Sequence, residues 1–378
     1  RGLLASVRGR ENLSRSDREA ERAAFLAGAG WSDAELEPLA GDASTRRYFR
    51  LCRDSGTAML MDAPAASEAP ACPVNATPEE RKVLGYNAEA RLAGANLPAF
   101  AGLAQALCER GFSAPRILAA DFETGFLLLE DLGDDLIARL VPGKRHEGTL
   151  YRQAVDVLAA LYRSTFPASV GLDGHDWPIQ AYDSTALMAE ADLFLEWFLE
   201  KHAGVELDDA ARADWAELWQ QAFKRLEGCP PGLVLRDFHA ENLIYLPERE
   251  GEGAIGLLDF QDALFGHPAY DLVSLLEDAR RNVDRKLAVP LKARFVEQAG
   301  IADPAGFDAA YAVLGAQRNA KILGIFVRLA LRDGKERYLE LLPRVARHFV
   351  GDLQHPALMQ LHMWVKDHAA SVFLEAHK

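Results

Sequence analysis

Apolar and polar positions alternate in short stretches along the first third of the chain, a pattern typical of β-strands. The segment 39–52 begins with small and polar residues and ends in alternating apolar and basic ones, and the apolar stretch 57–62 follows after a turn. These two stretches predict an antiparallel hairpin preceded by a flexible loop. The other elements predicted in this region are helices at 17–30 and 98–110 and strands at 115–121 and 124–129.

Helical periodicity dominates the rest of the chain, where one strand pair, 243–246 with 255–258, interrupts it. The pattern predicts an α+β fold in which residues 1–132 form a small antiparallel-sheet lobe and residues 133–378 a larger helical lobe. The segment 63–80, rich in proline and alanine, is predicted to be a mobile loop or insertion in the first lobe. The predicted helices of the second lobe cover 148–164, 184–202, 208–227, 270–286, 288–299, 306–331 and 335–349.

The composition is that of a globular protein with an acidic charge balance. Hydrophobic residues make up 49% of the 378 positions and charged residues 26%. Lysine and arginine total 42 against 56 aspartate and glutamate residues, which gives a net charge of −14. Because nucleic acids and anionic membranes are bound through basic surfaces, this balance argues against both kinds of partner.

The cysteines and the apolar stretches favour a cytoplasmic protein. Cys52, Cys72, Cys108 and Cys229 show neither a metal-binding spacing nor a disulfide framework, so we expect reduced thiols. The uncharged segment 92–108 is too short and too interrupted by glycine and proline for a membrane span. The N-terminal residues lack the apolar core of a signal peptide.

Three oxygen-bearing side chains are predicted to converge near the strand pair. Asp237 precedes Asn242 by five residues, Asn242 leads into the first strand, and Asp259 ends the second. Because a hairpin returns its end beside its beginning, the three side chains should meet at one point. Their oxygens suit Mg²⁺, and a base Asp beside a metal-binding Asn and Asp is the arrangement of phosphoryl transfer. A polar turn explains each residue alone but not all three at this spacing.

The sequence around these residues resembles the aminoglycoside-phosphotransferase and choline-kinase-like branch of the protein-kinase fold, over roughly residues 20–350. Asp237 and Asn242 match the Asp-x-x-x-x-Asn of its catalytic loop, Asp259 opens its Asp-Phe metal motif, and Asp271 lies in its later Pro-x-x-Asp-Leu. The resemblance implies a protein-kinase-like two-lobe fold that uses ATP and Mg²⁺. It makes Asp237 the catalytic base, Asn242 and Asp259 the metal ligands, and Asp271 a support of the catalytic loop, a role compatible with a helix N-cap.

Longer strings in both lobes resemble one subgroup of this branch more closely. The subgroup contains the anomeric sugar kinases of cell-wall recycling, which phosphorylate N-acetylmuramate and N-acetylglucosamine at the 1-hydroxyl. An amino sugar is therefore the implied small-molecule substrate. The strings that carry the resemblance cover 41–50, 60–64, 126–133, 258–263 and 270–276.

Two positions depart from the branch. Leu235 stands two residues before Asp237, where the family usually has His, and we expect this change to alter loop packing without abolishing activity. The third-strand Lys that holds the α- and β-phosphates is missing, with Met61 at about its place. Arg46, Arg47 and Arg50 are the candidate replacements, and for each of them a solvated strand position is an equally good explanation.

The resemblance also implies where the nucleotide binds. The loop and strand with Ser44 and Arg46 would lie over the phosphates, and Glu130 to Leu132, at the lobe connection, would present backbone groups to the adenine. From the residues alone, the second segment is an apolar strand that enters a turn.

Several polar residues near the predicted catalytic loop are candidates for contact with the acceptor. His239 could touch the sugar or brace the loop, and Gln261 and Asp262 could face the substrate or form a polar turn. N-acetylmuramate carries a lactyl carboxylate that needs a local cation. Arg280 or Arg281, after Asp271, is the candidate source of that cation.

Three functions remain compatible with the sequence. The first is an amino-sugar kinase, and the second is a kinase for another hydroxyl substrate such as an aminoglycoside, choline or a hydroxy-amino acid. The third is a nucleotide-binding pseudokinase, which the missing Lys and His favour and the retained Asp237, Asn242 and Asp259 oppose. A protein kinase is less compatible, because nothing resembles an activation segment that ends in Ala-Pro-Glu. The sequence does not predict the oligomeric state.

Overall fold

Five antiparallel strands form one sheet in the N-terminal part of the computed structural model, which describes residues 15–39, 46–64, 71–94, 96–141 and 146–375. The strand order is β1-β2-β3-β5-β4. The strands are β1 Glu35–Pro38, β2 Arg47–Arg53, β3 Gly56–Asp62, β4 Ile117–Asp121 and β5 Phe126–Glu130, and the helices are α1 Arg15–Gly28, α2 Pro78–Leu84, α3 Tyr86–Glu89 and α4 Leu97–Cys108.

Both faces of this sheet are covered, which explains why its central strands are apolar throughout. Ala58 and Leu60 of β3 pack with α1, in a cluster that contains Leu26 and Trp31. The next residue, Met61, points to the opposite face and belongs to the main core. Successive side chains of a strand lie on opposite faces, so a strand covered on both sides needs a continuous apolar run.

The remaining chain is mostly helical and contains three small strand pairs. The antiparallel pairs are β6 with β7, β8 with β11 and β9 with β10. The elements are α5 Ile137–Leu140, α6 Glu147–Arg163, β6 Ser169–Leu172, β7 His175–Pro178, α7 Ser184–Leu193 with its π-helical continuation Phe194–His202, α8 Asp209–Phe223, β8 Gly232–Val234, β9 Leu243–Tyr245, β10 Ile255–Leu257, β11 Leu264–Gly266, α9 Ala269–Leu276, α10 Arg285–Gln298, α11 Pro304–Asp333, α12 Leu342–Asp352 and α13 Met359–Glu375.

The helix α11, 30 residues long, runs through the core of this region. It packs against α7 at Gly324, where an added Cβ would lie 2.3 Å from the carbonyl oxygen of Leu193. Only glycine allows the two backbones to approach this closely. In the part of the chain that the structure describes, no helix combines the length and the hydrophobicity that a membrane crossing requires.

The predicted α+β, two-lobe kinase-like fold class is confirmed, whereas several element predictions were wrong in detail. The helix predicted over 270–286 ends at Leu276, because Asp278 and Asp284 accept backbone N–H groups that a continuous helix would use. The insertion predicted over 63–80 ends earlier, since a capping box at Thr77 starts α2. Residues 65–70 of it lie outside the described residues. The sequence prediction missed β1, β6, β7, β8, β11, α2, α3, α5 and α13.

A buried ion pair joins α1 to the sheet. Arg18 on α1 donates to Asp62 at the end of β3, with Nη2 2.6 Å from Oδ1, and the Asp62 side chain is fully buried. Arg47 donates to the second oxygen of Asp62 at 2.9 Å. Two cations therefore converge on one buried carboxylate.

We expect Asp62→Ala to destabilise this region by about 3 kcal/mol, because two guanidinium groups lose their shared buried partner. Hydrogen exchange of the β3 amides should accelerate roughly 100-fold. The control is Glu21→Ala, which removes a more exposed partner of Arg18 and should cost less than about 1 kcal/mol. Equal exchange rates in the two variants would contradict this account of how α1 is attached.

Candidate active site

The loop after β8 is held by a carboxylate from α9. Asp271 accepts hydrogen bonds from the backbone N–H groups of Leu235 (2.6 Å) and Arg236 (2.8 Å). Arg236 has a φ of +74°, a left-handed conformation that a non-glycine residue adopts at a cost. Burial raises the pKa of Asp271 to about 7, although the two backbone donors lower it. Asp271 does not cap its own helix, whose N-cap is Pro268.

The side chain of Arg236 holds the same loop through contacts on its buried side. It is buried, and it donates to Glu190 on α7 and to the carbonyl of Ala90 at 3.0 Å. Glu190 also pairs with Lys321 of α11, at 2.9 Å, and accepts from the Tyr182 hydroxyl. Two cations and one carboxylate therefore form a buried ion cluster under the loop.

Sequence reasoning missed Glu190, Lys321 and the structural role of Arg236. Lys321 offered one signal, because it is a lone charge within the apolar stretch 320–327. Glu190 offered none, since acidic residues are common on the helices of this chain and its partners come from distant segments.

Asp237 follows Arg236 and is half-buried. Burial would raise the pKa of its carboxyl group, but Lys321, His239, Arg318 and Arg236 together lower it below the ordinary value. Asp237 is therefore ionised at neutral pH. A positioned, ionised carboxylate of this kind can orient a hydroxyl group and accept its proton.

Asn242 and Asp259 lie beside Asp237 at the base of the β9–β10 hairpin. The Asn242 side-chain nitrogen donates to the Asp237 carbonyl at 2.9 Å and lies 3.5 Å from Oδ2 of Asp259. Asp259 has a φ of +59°, and Gln261 donates to its Oδ1 at 2.7 Å. The structure thus places Asn242 between the Asp237 backbone and the Asp259 side chain, and Asp237 lies close enough to Asp259 to raise its pKa.

The electrostatics of this group suit a divalent cation. Burial and, after it, the neighbouring Asp237 raise the pKa of Asp259 to about 6. A cation would relieve this repulsion, and one Asp with one Asn, completed by phosphate and water, is a donor set that Mg²⁺ accepts. Among the described residues, no group of three His, Cys, Asp or Glu forms a cage that would bind a metal without such additional ligands.

Arg46 is the candidate cation that lies at this group. It is 8% exposed, donates to the carbonyl of Gly94 at 2.8 Å and lowers the pKa of both Asp259 and Asp262. Met61 is buried and lies opposite Tyr48 in the sheet, so its side chain adds no charge here.

The other two candidate cations have partners away from the group. Arg47 pairs with Asp62, and Arg50 pairs with Asp131 and Asp134 at the lobe connection. Ser44, predicted to contact the nucleotide, lies outside the described residues.

Glu130 and Leu132 lie where β5 leaves the sheet. The Glu130 side chain pairs with Arg116 (3.2 Å) and Arg249 (2.7 Å), and its backbone N–H donates to the carbonyl of Arg116. Leu132 is buried and faces Gly256 of β10. The segment thus lies between the sheet and the β9–β10 hairpin.

The residues predicted on the acceptor side occupy different places. Asp262 accepts the backbone N–H of Ala93 at 2.6 Å, and Gln261 binds Asp259, so both are engaged in holding the hairpin. His239 and Arg280 lie together, with Nε2 and Nη1 3.5 Å apart. Burial lowers the pKa of His239 to about 4, which keeps the ring neutral at physiological pH.

A protein-family model described as the phosphotransferase enzyme family matches residues 35–309, which is more than half of the chain. The chain belongs to this family. An N-acetylmuramate/N-acetylglucosamine kinase of Caulobacter vibrioides is 44% identical over 92% of this chain and 96% of its own length. A kinase of the same name from Pseudomonas aeruginosa is 34% identical over 84% of this chain and 85% of its own.

A solved structure shares the fold at lower identity. A choline/ethanolamine kinase family protein from Mesorhizobium loti superposes with a TM-score of 0.54 and 17% identity, over 93% of this chain and 99% of that one. The family resemblance inferred from the motifs is confirmed by these comparisons, and the protein is a phosphotransferase.

Proposed function

We propose that the protein is an ATP- and Mg²⁺-dependent kinase that phosphorylates N-acetylmuramate and N-acetylglucosamine at the anomeric hydroxyl, in the recycling of peptidoglycan. The observation that carries this proposal is the 44% identity to the Caulobacter kinase over almost the whole of both chains. A cytoplasmic location follows from the same proposal, since ATP is a cytoplasmic substrate.

The convergent residues supply the groups that phosphoryl transfer needs. Asp237 would orient the anomeric hydroxyl and accept its proton as the oxygen attacks the γ-phosphorus, and ADP would leave. Mg²⁺, when bound, neutralises charge on the phosphates, and Asn242 and Asp259 would hold it. The anomeric hydroxyl is the most acidic on the sugar, so a carboxylate of modest basicity suffices to accept its proton.

The nucleotide would lie between Arg46 and the lobe connection. Arg46 is the proposed substitute for the missing third-strand Lys, because its charge lowers the pKa of Asp259. Arg47 and Arg50 instead form ion pairs with carboxylates away from this group. Ser44, Glu130 and Leu132 remain proposed nucleotide contacts.

We expect Asp237→Asn to lower kcat by about 10²- to 10⁴-fold and to leave the Kd for nucleotide nearly unchanged, because general-base catalysis acts on the transition state. Single-turnover rates and nucleotide titration would measure the two effects separately. Asp54→Asn, an exposed carboxylate in the β2–β3 turn, is the control and should keep wild-type kinetics. Near-normal turnover by Asp237→Asn would refute the assignment.

Asp259→Asn should remove most of the Mg²⁺ dependence of nucleotide binding. Asn tolerates the left-handed backbone at this position, so the variant changes the charge without adding strain. Removal of an outer-sphere partner of a metal ligand typically lowers metal affinity roughly 10- to 100-fold. The loss of Mg²⁺-dependent nucleotide affinity in Asp259→Asn should be larger than this, and that in Asn242→Ala should be smaller than in Asp259→Asn. Calorimetry with a non-hydrolysable ATP analogue, with and without Mg²⁺, measures both. Identical metal dependence in wild type and Asp259→Asn would exclude this ligand set.

The substrate is tested by an ADP-release screen with N-acetylmuramate, N-acetylglucosamine, glucosamine, kanamycin and choline. We expect turnover of the first two sugars, and phosphorus–proton coupling in the NMR spectrum of each product should place the phosphate on the anomeric oxygen. Turnover of kanamycin or choline alone, or a product phosphorylated at the 6-hydroxyl, would contradict the proposed substrate assignment but not the proposed kinase activity. No turnover of any acceptor would favour the pseudokinase alternative.

A further inference from the structure

Arg280 presents a guanidinium group at the edge of the catalytic loop. Its Nε lies 2.8 Å from Oε2 of Glu241, and its Nη1 lies 3.5 Å from Nε2 of His239. Both neighbours belong to the loop that starts at Asp237. The Arg280 side chain is 28% exposed and that of Glu241 45%, so solvent reaches this edge.

The catalytic group itself repels an anionic acceptor. Asp237 raises the pKa of both Asp259 and Asp262, and Asp262 also raises that of Asp259, so negative charge is concentrated here. An acceptor that carries its own carboxylate therefore needs a cation beside the loop, where it offsets this repulsion and orients the substrate.

Most cations near the loop are committed to fixed partners. Buried or paired guanidinium and ammonium groups of this kind have little freedom to receive a second carboxylate. These pairs are Arg236 and Lys321 with Glu190, Arg281 with Glu147, Arg318 with Ser274, and Arg46 with the carbonyl of Gly94. Of these cations and Arg280, all within the described part of the chain, Arg280 combines partial exposure with contacts to the catalytic loop.

We propose that Arg280 binds the carboxylate of an anionic acceptor sugar and thereby determines how well the enzyme uses N-acetylmuramate relative to N-acetylglucosamine. The two sugars differ by the lactyl ether at O3, which extends a carboxylate away from the reacting anomeric oxygen. This inference rests on the proposed function and adds the residue that separates its two substrates.

The geometry of the guanidinium group permits this role. An arginine carries five N–H donors in a planar fork, and Glu241 engages the Nε side, which leaves the terminal nitrogens to donate to a second carboxylate. Nε2 of His239 lies 3.5 Å from Nη1 and, as an acceptor, helps to fix the plane of the fork, so that Nη2 and the remaining Nη1 hydrogen can donate to the substrate.

Glu241 has the opposite effect in this arrangement. Its carboxylate offsets part of the positive charge of Arg280 and so weakens the attraction of the guanidinium group for a substrate carboxylate. Removing the Glu241 charge should therefore shift the preference toward the anionic sugar, whereas removing the Arg280 charge should shift it away.

The test compares kcat/KM for N-acetylmuramate, N-acetylglucosamine and 3-O-methyl-N-acetylglucosamine. The methyl ether carries a substituent at O3 but no charge. Arg280→Gln should lower kcat/KM for N-acetylmuramate about 10- to 100-fold more than for the two neutral sugars, the loss expected for a charge-assisted hydrogen bond. Glu241→Gln should raise the ratio of N-acetylmuramate to N-acetylglucosamine. Arg281→Gln, the neighbouring arginine that pairs with Glu147, is the matched control and should keep the wild-type ratio.

Each outcome decides one question. Equal losses of Arg280→Gln on all three sugars, or an Arg281→Gln ratio that shifts as far as that of Arg280→Gln, would overturn the role of Arg280. If Arg280→Gln lowers kcat/KM equally for the methyl ether and N-acetylmuramate but not for N-acetylglucosamine, the variant responds to the size of the O3 substituent and not to its charge. That result would also overturn the role of Arg280. A wild-type enzyme that phosphorylates none of these sugars would overturn the proposed function instead.

Discussion

The two hydrogen bonds from the backbone of Leu235 and Arg236 to the buried carboxylate of Asp271 are the constraint on which the site depends. They hold Arg236 in a left-handed conformation that the chain would otherwise avoid. From that turn the Arg236 side chain reaches the buried Glu190, while Asp237, the next residue, stays half-buried. One carboxylate on α9 therefore determines where Asp237, the proposed base, lies.

A balance of charge surrounds that turn. Below the loop, Arg236 and Lys321 share the buried Glu190, and their surplus positive charge keeps Asp237 ionised. Asp259 is compensated less: Gln261 and Arg46 lower its pKa, but burial and the neighbouring Asp237 outweigh them and raise it to about 6. The surroundings of Asp237 thus favour its ionised form, whereas a cation would relieve the repulsion at Asp259.

The segment before α4 contacts both the N-terminal sheet region and the β9–β10 hairpin. The carbonyl of Gly94 accepts from Arg46, next to the sheet, and the N–H of Ala93 donates to Asp262, just after the hairpin. One short stretch of backbone therefore contacts both the Arg46 guanidinium group and the carboxylate that follows the hairpin. Met61, in the strand that usually carries the phosphate-binding lysine, fills the core instead.

The sequence by itself determined the fold class and the family, and it predicted that Asp237, Asn242 and Asp259 form one group. Each rests on local spacing or on strings of characteristic residues in both parts of the chain. Strands of three or four residues, such as β8 and β11, were missed because they are too short to show a clear alternation of apolar and polar positions. Only the tertiary structure selected Arg46 among three arginines, brought Lys321 to Glu190 and placed Arg280 against the loop. These contacts join residues that are distant in sequence. A long charged side chain can reach several alternative partners, and only the packing of the surrounding elements decides which partner lies beside it.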